Sequence, residues 1–159
     1  MKFLHTMVRI RDIDESLRFY CEGLGLKQVR RMDNEKARFS LIFLASVDDI
    51  EHANVELPIT GHVTGLPLLE LTYNWPDEGE EAQGYDGGRN FGHLAYYTQD
   101  IYELCQRLMD MGYTINRPPR CGHMAFVRSP DNISFELLQE GDDLPAQAPW
   151  KDMENTGEW

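Results

Sequence analysis

His5-Thr-Met-Val-Arg-Ile-Arg-Asp12-Ile-Asp-Glu15 and His93-Leu-Ala-Tyr-Tyr-Thr-Gln-Asp100-Ile-Tyr-Glu103 are one pattern written twice, 93 − 5 = 88 residues apart. In each copy a histidine opens a run of β-branched, aromatic and aliphatic residues. That composition predicts strands over residues 4–10 and 94–98. Each run leads to an aspartate with a glutamate three residues on, the capping-box arrangement that satisfies the first backbone N–H groups of a helix. Behind the caps, Ile13, Leu17, Tyr20 and Leu24, and then Ile101, Leu104, Cys105 and Leu108, recur at three- and four-residue steps. That is the period of one buried helical face. Gly23 or Gly25 stops the first helix and Gly112 the second.

More strand-like runs follow each helix, at 27–31, 38–44 and 68–73 in the first half and at 113–116, 124–128 and 134–138 in the second. Each half therefore reads strand–helix–strand–strand–strand. The fold class expected is α+β, with two tandem βαβββ modules over about 1–75 and 89–140. They form a single domain, 1–140, joined by the Gly-, Glu-, Asp- and Pro-rich loop 76–88. Residues 46–67 interrupt the first module. There 48–52 can make a short turn, and Pro58 and Pro67 break longer elements. The remainder, 141–159, with Trp150 and Trp159, reads as a C-terminal surface arm whose indoles can dock on the body or on a partner.

Composition excludes several classes. Of 159 residues, 42% are apolar and 26% charged, an ordinary globular balance. The net charge of −12 repels phosphate backbones and anionic lipids, so neither nucleic acid nor membrane is an expected partner. No apolar run is long enough to span a bilayer, and the opening Met1-Lys-Phe-Leu-His-Thr lacks the pattern of a signal peptide. Cys21, Cys105 and Cys121 are odd in number and unpaired by spacing. They read as free thiols, which points to a reducing, cytoplasmic setting.

Four residues at matched places carry the chemistry. His5 and His93 open equivalent strands. Glu70 and Glu136 each sit inside an apolar run, Leu68-Leu69-Glu70-Leu71 and Ser134-Phe135-Glu136-Leu137-Leu138. A carboxylate among strand aliphatics is costly unless it faces water, is paired or binds a cation. Taken singly, each has an ordinary explanation. Two histidines and two glutamates at equivalent points of a tandem repeat instead make a candidate dication site of nitrogen and oxygen donors. His62 and His123 read as surface or pocket-lip residues rather than ligands.

The motifs carrying these residues resemble a known family. Leu69-Glu70-Leu71-Thr72-Tyr73-Asn74-Trp75, Phe91-Gly92-His93-Leu94-Ala95, Leu4-His5-Thr6-Met7-Val8-Arg9-Ile10, and Ala125-Phe126-Val127 with Ser129-Pro130-Asp131 and Phe135-Glu136-Leu137 are similar to segments of glyoxalase I (lactoylglutathione lyase). That family lies in the vicinal-oxygen-chelate superfamily, built from paired βαβββ modules. The resemblance spans about residues 3–140. It implies metal-dependent isomerisation of the hemithioacetal of methylglyoxal and glutathione to S-lactoylglutathione. The implied metal ligands are His5, Glu70, His93 and Glu136. Glu136 is the implied catalytic base and Glu70 the opposing carboxylate. Arg9, Asn74 and Arg89 match places used for the γ-glutamyl end of glutathione, and Arg117 and Arg120 stand where the family places lysines for the glycyl carboxylate. The implied cofactors are one divalent metal per site and glutathione as co-substrate.

The resemblance further implies a homodimer with active sites at the subunit interface, His5 and Glu70 of one chain meeting the partner's His93 and the partner's Glu136; assembly within one chain is the alternative. Longer connections in the family accompany zinc and shorter ones nickel or cobalt. Here Ser40 to Glu70 is 70 − 40 = 30 steps, like the long form, and Glu70 to His93 is 93 − 70 = 23, between the two, so zinc is favoured. Two departures bear on detail. Asn132 replaces a glycine common in the last hairpin, a position where asparagine tolerates positive φ, and Ser134 replaces an aromatic. Competing readings on the same scaffold are an Fe(II)-dependent extradiol-type dioxygenase, a metal-free small-molecule binding protein, and an isomerase acting on another thiol adduct. The fourth ligand, Glu70, argues against the first, the intact quartet against the second, and Arg9, Arg89 and Asn74 against the third.

Overall fold

Each half of the repeat becomes a four-stranded mixed sheet. The computed structural model describes residues 1–159. It divides into two units, Met1–Tyr85 and Asp86–Trp159. The first holds β1 (His5–Ile10), α1 (Ile13–Leu17), β2 (Lys27–Asn34), β3 (Phe39–Ala45), α2 (Val47–Ala53) and β4 (Leu68–Asn74). The second holds β5 (His93–Thr98), α3 (Ile101–Asp110), β6 (Ile115–Arg117), β7 (Met124–Arg128) and β8 (Ser134–Gln139). The strand orders are β1-β4-β3-β2 and β5-β8-β7-β6, so the same topology is built twice. The α+β class and the doubled βαβββ plan read from the sequence are those of the structure.

Local chemistry explains the elements. Asp12 accepts a hydrogen bond from the Glu15 backbone N–H at 2.8 Å, and Asp100 accepts from Tyr102 and Glu103 at 2.9 and 3.0 Å. Each aspartate satisfies donors that helix geometry leaves orphaned. Helix α3 closes as a Schellman motif. Gly112, at φ +91, donates to Met109 O, and Tyr113 donates to Leu108 O, both at 2.9 Å. The first helix departs from the sequence expectation. After five α residues it widens into a π-helical turn over Arg18–Gly23, with Leu24 N–H bonded to Phe19 O at 2.9 Å, before Gly25 at φ +83. The wider turn leaves Phe19 and Tyr20 both fully buried.

Alternation along the strands gives each sheet two faces. In the first unit Val8, Ile10, Ile42, Leu44, Leu69 and Leu71 share one face and are all buried. The other face is part covered: Val29, Phe43, Ala45 and Leu68 pack with Ile59 and Leu66 of the 54–67 connection. Trp75, which closes the narrow motif ending β4, ties the hairpin together. Its indole N–H donates to Ser40 Oγ at 2.9 Å, and that hydroxyl donates to Asp33 at 2.5 Å. The Ser40 hydroxyl, helped by Arg31, holds the Asp33 carboxyl below the usual carboxylate range.

In the second unit α3 lies against β6, β7 and β8. Buried Gln139 links β8 to that helix, accepting from Ile101 N–H at 3.0 Å and donating to Gln99 O at 2.8 Å. Asn132 takes φ +66 in the β7–β8 turn, the left-handed position the replaced glycine would fill. The 141–159 segment is not a free arm. Trp150 is buried against Tyr102, with ring centroids 6.3 Å apart. The chain crosses Gly122 so closely that a Cβ there would lie 2.0 Å from Leu144 O.

Candidate metal centre

The strand registers bring the predicted donors together in pairs. In the first unit Met7 pairs with Glu70, Glu70 with Phe43, and Phe43 with Arg30. These four form one row across the sheet, and alternation puts His5 on the same face. His5 Nε2 lies 3.1 Å from Glu70 Oε2. The second oxygen of Glu70 accepts the Thr72 hydroxyl at 3.2 Å. In the second unit Ala95, Glu136, Phe126 and Arg117 form the corresponding row. His93 Nε2 lies 3.1 Å from Glu136 Oε2. The repeat thus extends beyond the four donors. In each row a phenylalanine follows the glutamate and an arginine closes the sheet edge.

The phenylalanines hold the imidazoles. Phe43 meets His5 edge-on at 6.1 Å, and Phe126 meets His93 edge-on at 5.4 Å. His62 stacks on His5 at 5.2 Å with planes 25° apart. His5 Nδ1 is buried without a hydrogen-bond partner, so ring contacts, not a hydrogen bond to the far nitrogen, fix this imidazole. The glutamates are mostly buried, with side chains 11% and 15% exposed, while His5 and His93 are 30% and 42% exposed. Each pair therefore presents a donor edge at the open side of its sheet.

Each pair has the spacing of an imidazole–carboxylate hydrogen bond, and that spacing is also compatible with two neighbouring ligands of a divalent ion. Two donors each about 2.1 Å from one ion stand roughly 3.0 Å apart at a right angle and roughly 3.4 Å apart at the tetrahedral angle. Both pairs, at 3.1 Å, fall in that interval. Imidazole nitrogen with carboxylate oxygen is a donor set for zinc and its first-row neighbours. One pair alone is two ligands, fewer than such an ion takes.

A family model described as the glyoxalase/bleomycin resistance protein/dioxygenase superfamily matches residues 2–137. The chain belongs to this family. Among similar glyoxalase sequences, a probable lactoylglutathione lyase of Synechocystis sp. is 36% identical over 146 residues, covering 87% of this chain and 95% of the relative. A lactoylglutathione lyase of Pseudomonas aeruginosa is 35% identical, covering 86% and 81%. Among solved glyoxalase structures, the trypanothione-dependent glyoxalase I of Leishmania major matches with TM-score 0.69 at 32% identity, covering 88% of this chain and 87% of that one. Glyoxalase I of Zea mays matches with TM-score 0.68 at 29% identity, covering 89% of this chain and 45% of that longer one. No helix of the chain is long and apolar enough to cross a membrane.

The other sequence-predicted residues fall in distinct places. Arg9 is exposed and, by register, shares the face of His5 and Glu70. So does Asn74, whose amide lies 3.5 Å from the Tyr85 hydroxyl. Arg89 is exposed in the approach to β5. Arg117 stands in the Glu136 row, with Nη1 donating to Met124 O at 3.0 Å. Arg120 is engaged elsewhere: its Nη1 donates to Met153 O and Asn155 Oδ1, both at 2.9 Å. His123 bonds Asp143 at 2.7 Å, away from the donor row. Sequence reasoning missed Arg30, whose guanidinium lies 5.5 Å from the Phe43 ring centroid. Its signal was present, since Arg30 and Arg117 stand 117 − 30 = 87 residues apart, one short of the repeat offset.

Proposed function

We propose that this chain catalyses isomerisation of the hemithioacetal of a small 2-oxoaldehyde and glutathione to S-lactoylglutathione, with His5, Glu70, His93 and Glu136 as the metal ligands. The observation that carries the reading is the pair of His–Glu contacts, each 3.1 Å, at equivalent points of a duplicated sheet. Zinc is the favoured ion from the length of the connection before Glu70. When bound, a divalent ion supplies positive charge beside the two vicinal oxygens of the substrate, where negative charge develops as a proton leaves.

The protein's own groups do the rest. Glu136 accepts the proton from the carbon bearing hydroxyl and sulfur. It returns that proton to the neighbouring carbonyl carbon, so hydrogen moves within one molecule and no redox cofactor is consumed. The His93 contact fixes the direction of the Glu136 carboxylate, and Phe126 presses on the imidazole that holds it. Glu70, backed by Thr72, faces the opposite side. Arg9, Arg89 and Asn74 bind the γ-glutamyl end, with Arg30 a further cation on the His5 face. Such charges offset the −12 of the whole chain where a thiol bearing two carboxylates must approach. Arg117 serves the glycyl carboxylate, while Arg120 contributes by holding the 153–155 segment. Completing the ligand set requires both kinds of pair. In our reading they meet across a homodimer, His5 and Glu70 of one chain with the partner's His93 and the partner's Glu136, and the enzyme works in the cytoplasm.

The test is Glu136→Gln in an ultraviolet assay of thioester formation from methylglyoxal and glutathione. Loss of a positioned base removes about 10²–10⁴-fold of rate, with circular dichroism unchanged. Near-normal turnover would overturn the role given to Glu136.

A further inference from the structure

The two half-sites share a row of glutamate, phenylalanine and arginine but are finished differently. Over Phe43 lies the Arg30 guanidinium, and His62 sits edge-on to the same ring at 5.8 Å. Against Phe126 lies instead the indole of Trp159, with centroids 6.1 Å apart and planes at 36°. Phe126 in turn touches His93, so one ring separates the indole from a metal-ligand candidate.

Trp159 is brought there by a fixed strap. Trp150 is buried 3% exposed and anchors its start. Arg120 Nη1 binds Met153 O and Asn155 Oδ1. Asn116 and Thr156 exchange two hydrogen bonds: Thr156 N–H to Asn116 O at 2.8 Å, and Asn116 Nδ2 to Thr156 O at 2.9 Å. Arg128 Nε donates to Glu158 O at 2.8 Å. The strap thus runs along β6 and β7 and is pinned immediately before the indole. Yet Trp159 is still 40% exposed. A tryptophan held on a strap with much of its ring uncovered, against the Phe126 ring that also meets His93, offers an apolar wall. Residues 141–159 lie outside the matched family region, 2–137.

Resting on the reading above, we propose that Trp159 is a specificity-determining residue that packs against the aldehyde-derived side chain of the hemithioacetal. The thiol part of the substrate carries carboxylates and amides and suits the arginines of both units, Arg9 and Arg30 in the first and Arg89 and Arg117 in the second. The aldehyde side chain is the substrate's variable apolar group, and it hangs from the carbon to which Glu136 returns the proton. An indole stacks well on an aryl group and has little to gain from a methyl.

The experiment compares phenylglyoxal and methylglyoxal, each with glutathione, in the unaltered protein, Trp159→Ala and Trp159→Phe. We expect Trp159→Ala to lose about tenfold in kcat/KM with phenylglyoxal, through KM, and to stay within about twofold with methylglyoxal. Trp159→Phe recovers most of the phenylglyoxal rate. An equal fall for both aldehydes makes the indole merely structural and overturns the proposal, as does no change for either. No turnover of either adduct by the unaltered, metal-loaded protein would instead overturn the lyase reading, and this proposal with it.

Discussion

A site completed across two chains can be taken apart and rebuilt by mixing. The first unit carries His5 and Glu70 and the second His93 and Glu136, with one 3.1 Å pair in each. Glu70→Gln damages only the first kind of pair, and Glu136→Gln only the second. A homodimer of either variant then has two damaged sites, and loss of the base leaves a background below about 1%. A mixed dimer has one site with both pairs damaged and one site with both intact. Equal amounts of the variants reassort so that about half of the dimers are mixed, each with one working site of two, so about a quarter of all sites return. Thioester formation should therefore rise to about 25% of the unaltered rate, at least about 25-fold over Glu136→Gln alone. Native mass spectrometry of differently tagged chains verifies the exchange. Mixed dimers that stay as inactive as the separate variants would refute the inter-chain arrangement, because sites assembled within one chain cannot complement.

Two other predictions concern the scaffold. Asp100→Ala removes a side chain that caps two backbone N–H groups; it should cost about 1 kcal/mol and lower Tm by about 2–4 °C, and an unchanged melting curve would contradict the cap's role. Burial pushes the Cys105 thiol up to about 12 and also raises Cys21, while Cys121 is exposed. A thiol is nucleophilic only as thiolate, so a raised value suppresses reaction until pH nears that value. At pH ~8 a disulfide reagent should label Cys121 first, Cys21 more slowly and Cys105 only after denaturation; rapid labelling of Cys105 in folded protein would contradict this.

The parts of the fold that were legible in the sequence are those set by short-range chemistry repeated twice. Asp12 and Asp100 announce helix starts because a side-chain oxygen two or three residues ahead of orphan N–H groups is a local device. Gly112, and either Gly23 or Gly25, announce helix ends for a similar reason, the left-handed turn at C′, which the structure places at Gly25 and Gly112. The four donors stood out because the repeat placed them at matched points, and strand pairing then put each histidine beside its glutamate. What escaped depends on distant partners. Residues 32–34, Met-Asp-Asn, are a poor strand by composition, yet β2 continues through them because β3 pairs with them and Ser40 holds Asp33. The π-helical turn over Arg18–Gly23 keeps apolar residues at spacings an α-helix also satisfies, so periodicity could not announce it. The His62 stack on His5 and the strap that carries Trp159 to Phe126 join residues 62 − 5 = 57 and 159 − 126 = 33 positions apart with no shared motif. Arg120 looked like a substrate cation because a loop arginine carries no sign of which carbonyl it will meet.

The central claim is that four side chains, two from each kind of module, hold one ion that makes the reaction possible. Its most direct measurement is a zinc titration of chelator-stripped protein, followed by thioester formation from methylglyoxal and glutathione. We predict no turnover in the stripped protein and a linear rise that saturates at about one zinc per chain, the stoichiometry of one four-ligand site for every pair of half-sites. Recovery with nickel but not zinc would overturn the choice of ion alone. Full turnover in the stripped protein would contradict the account.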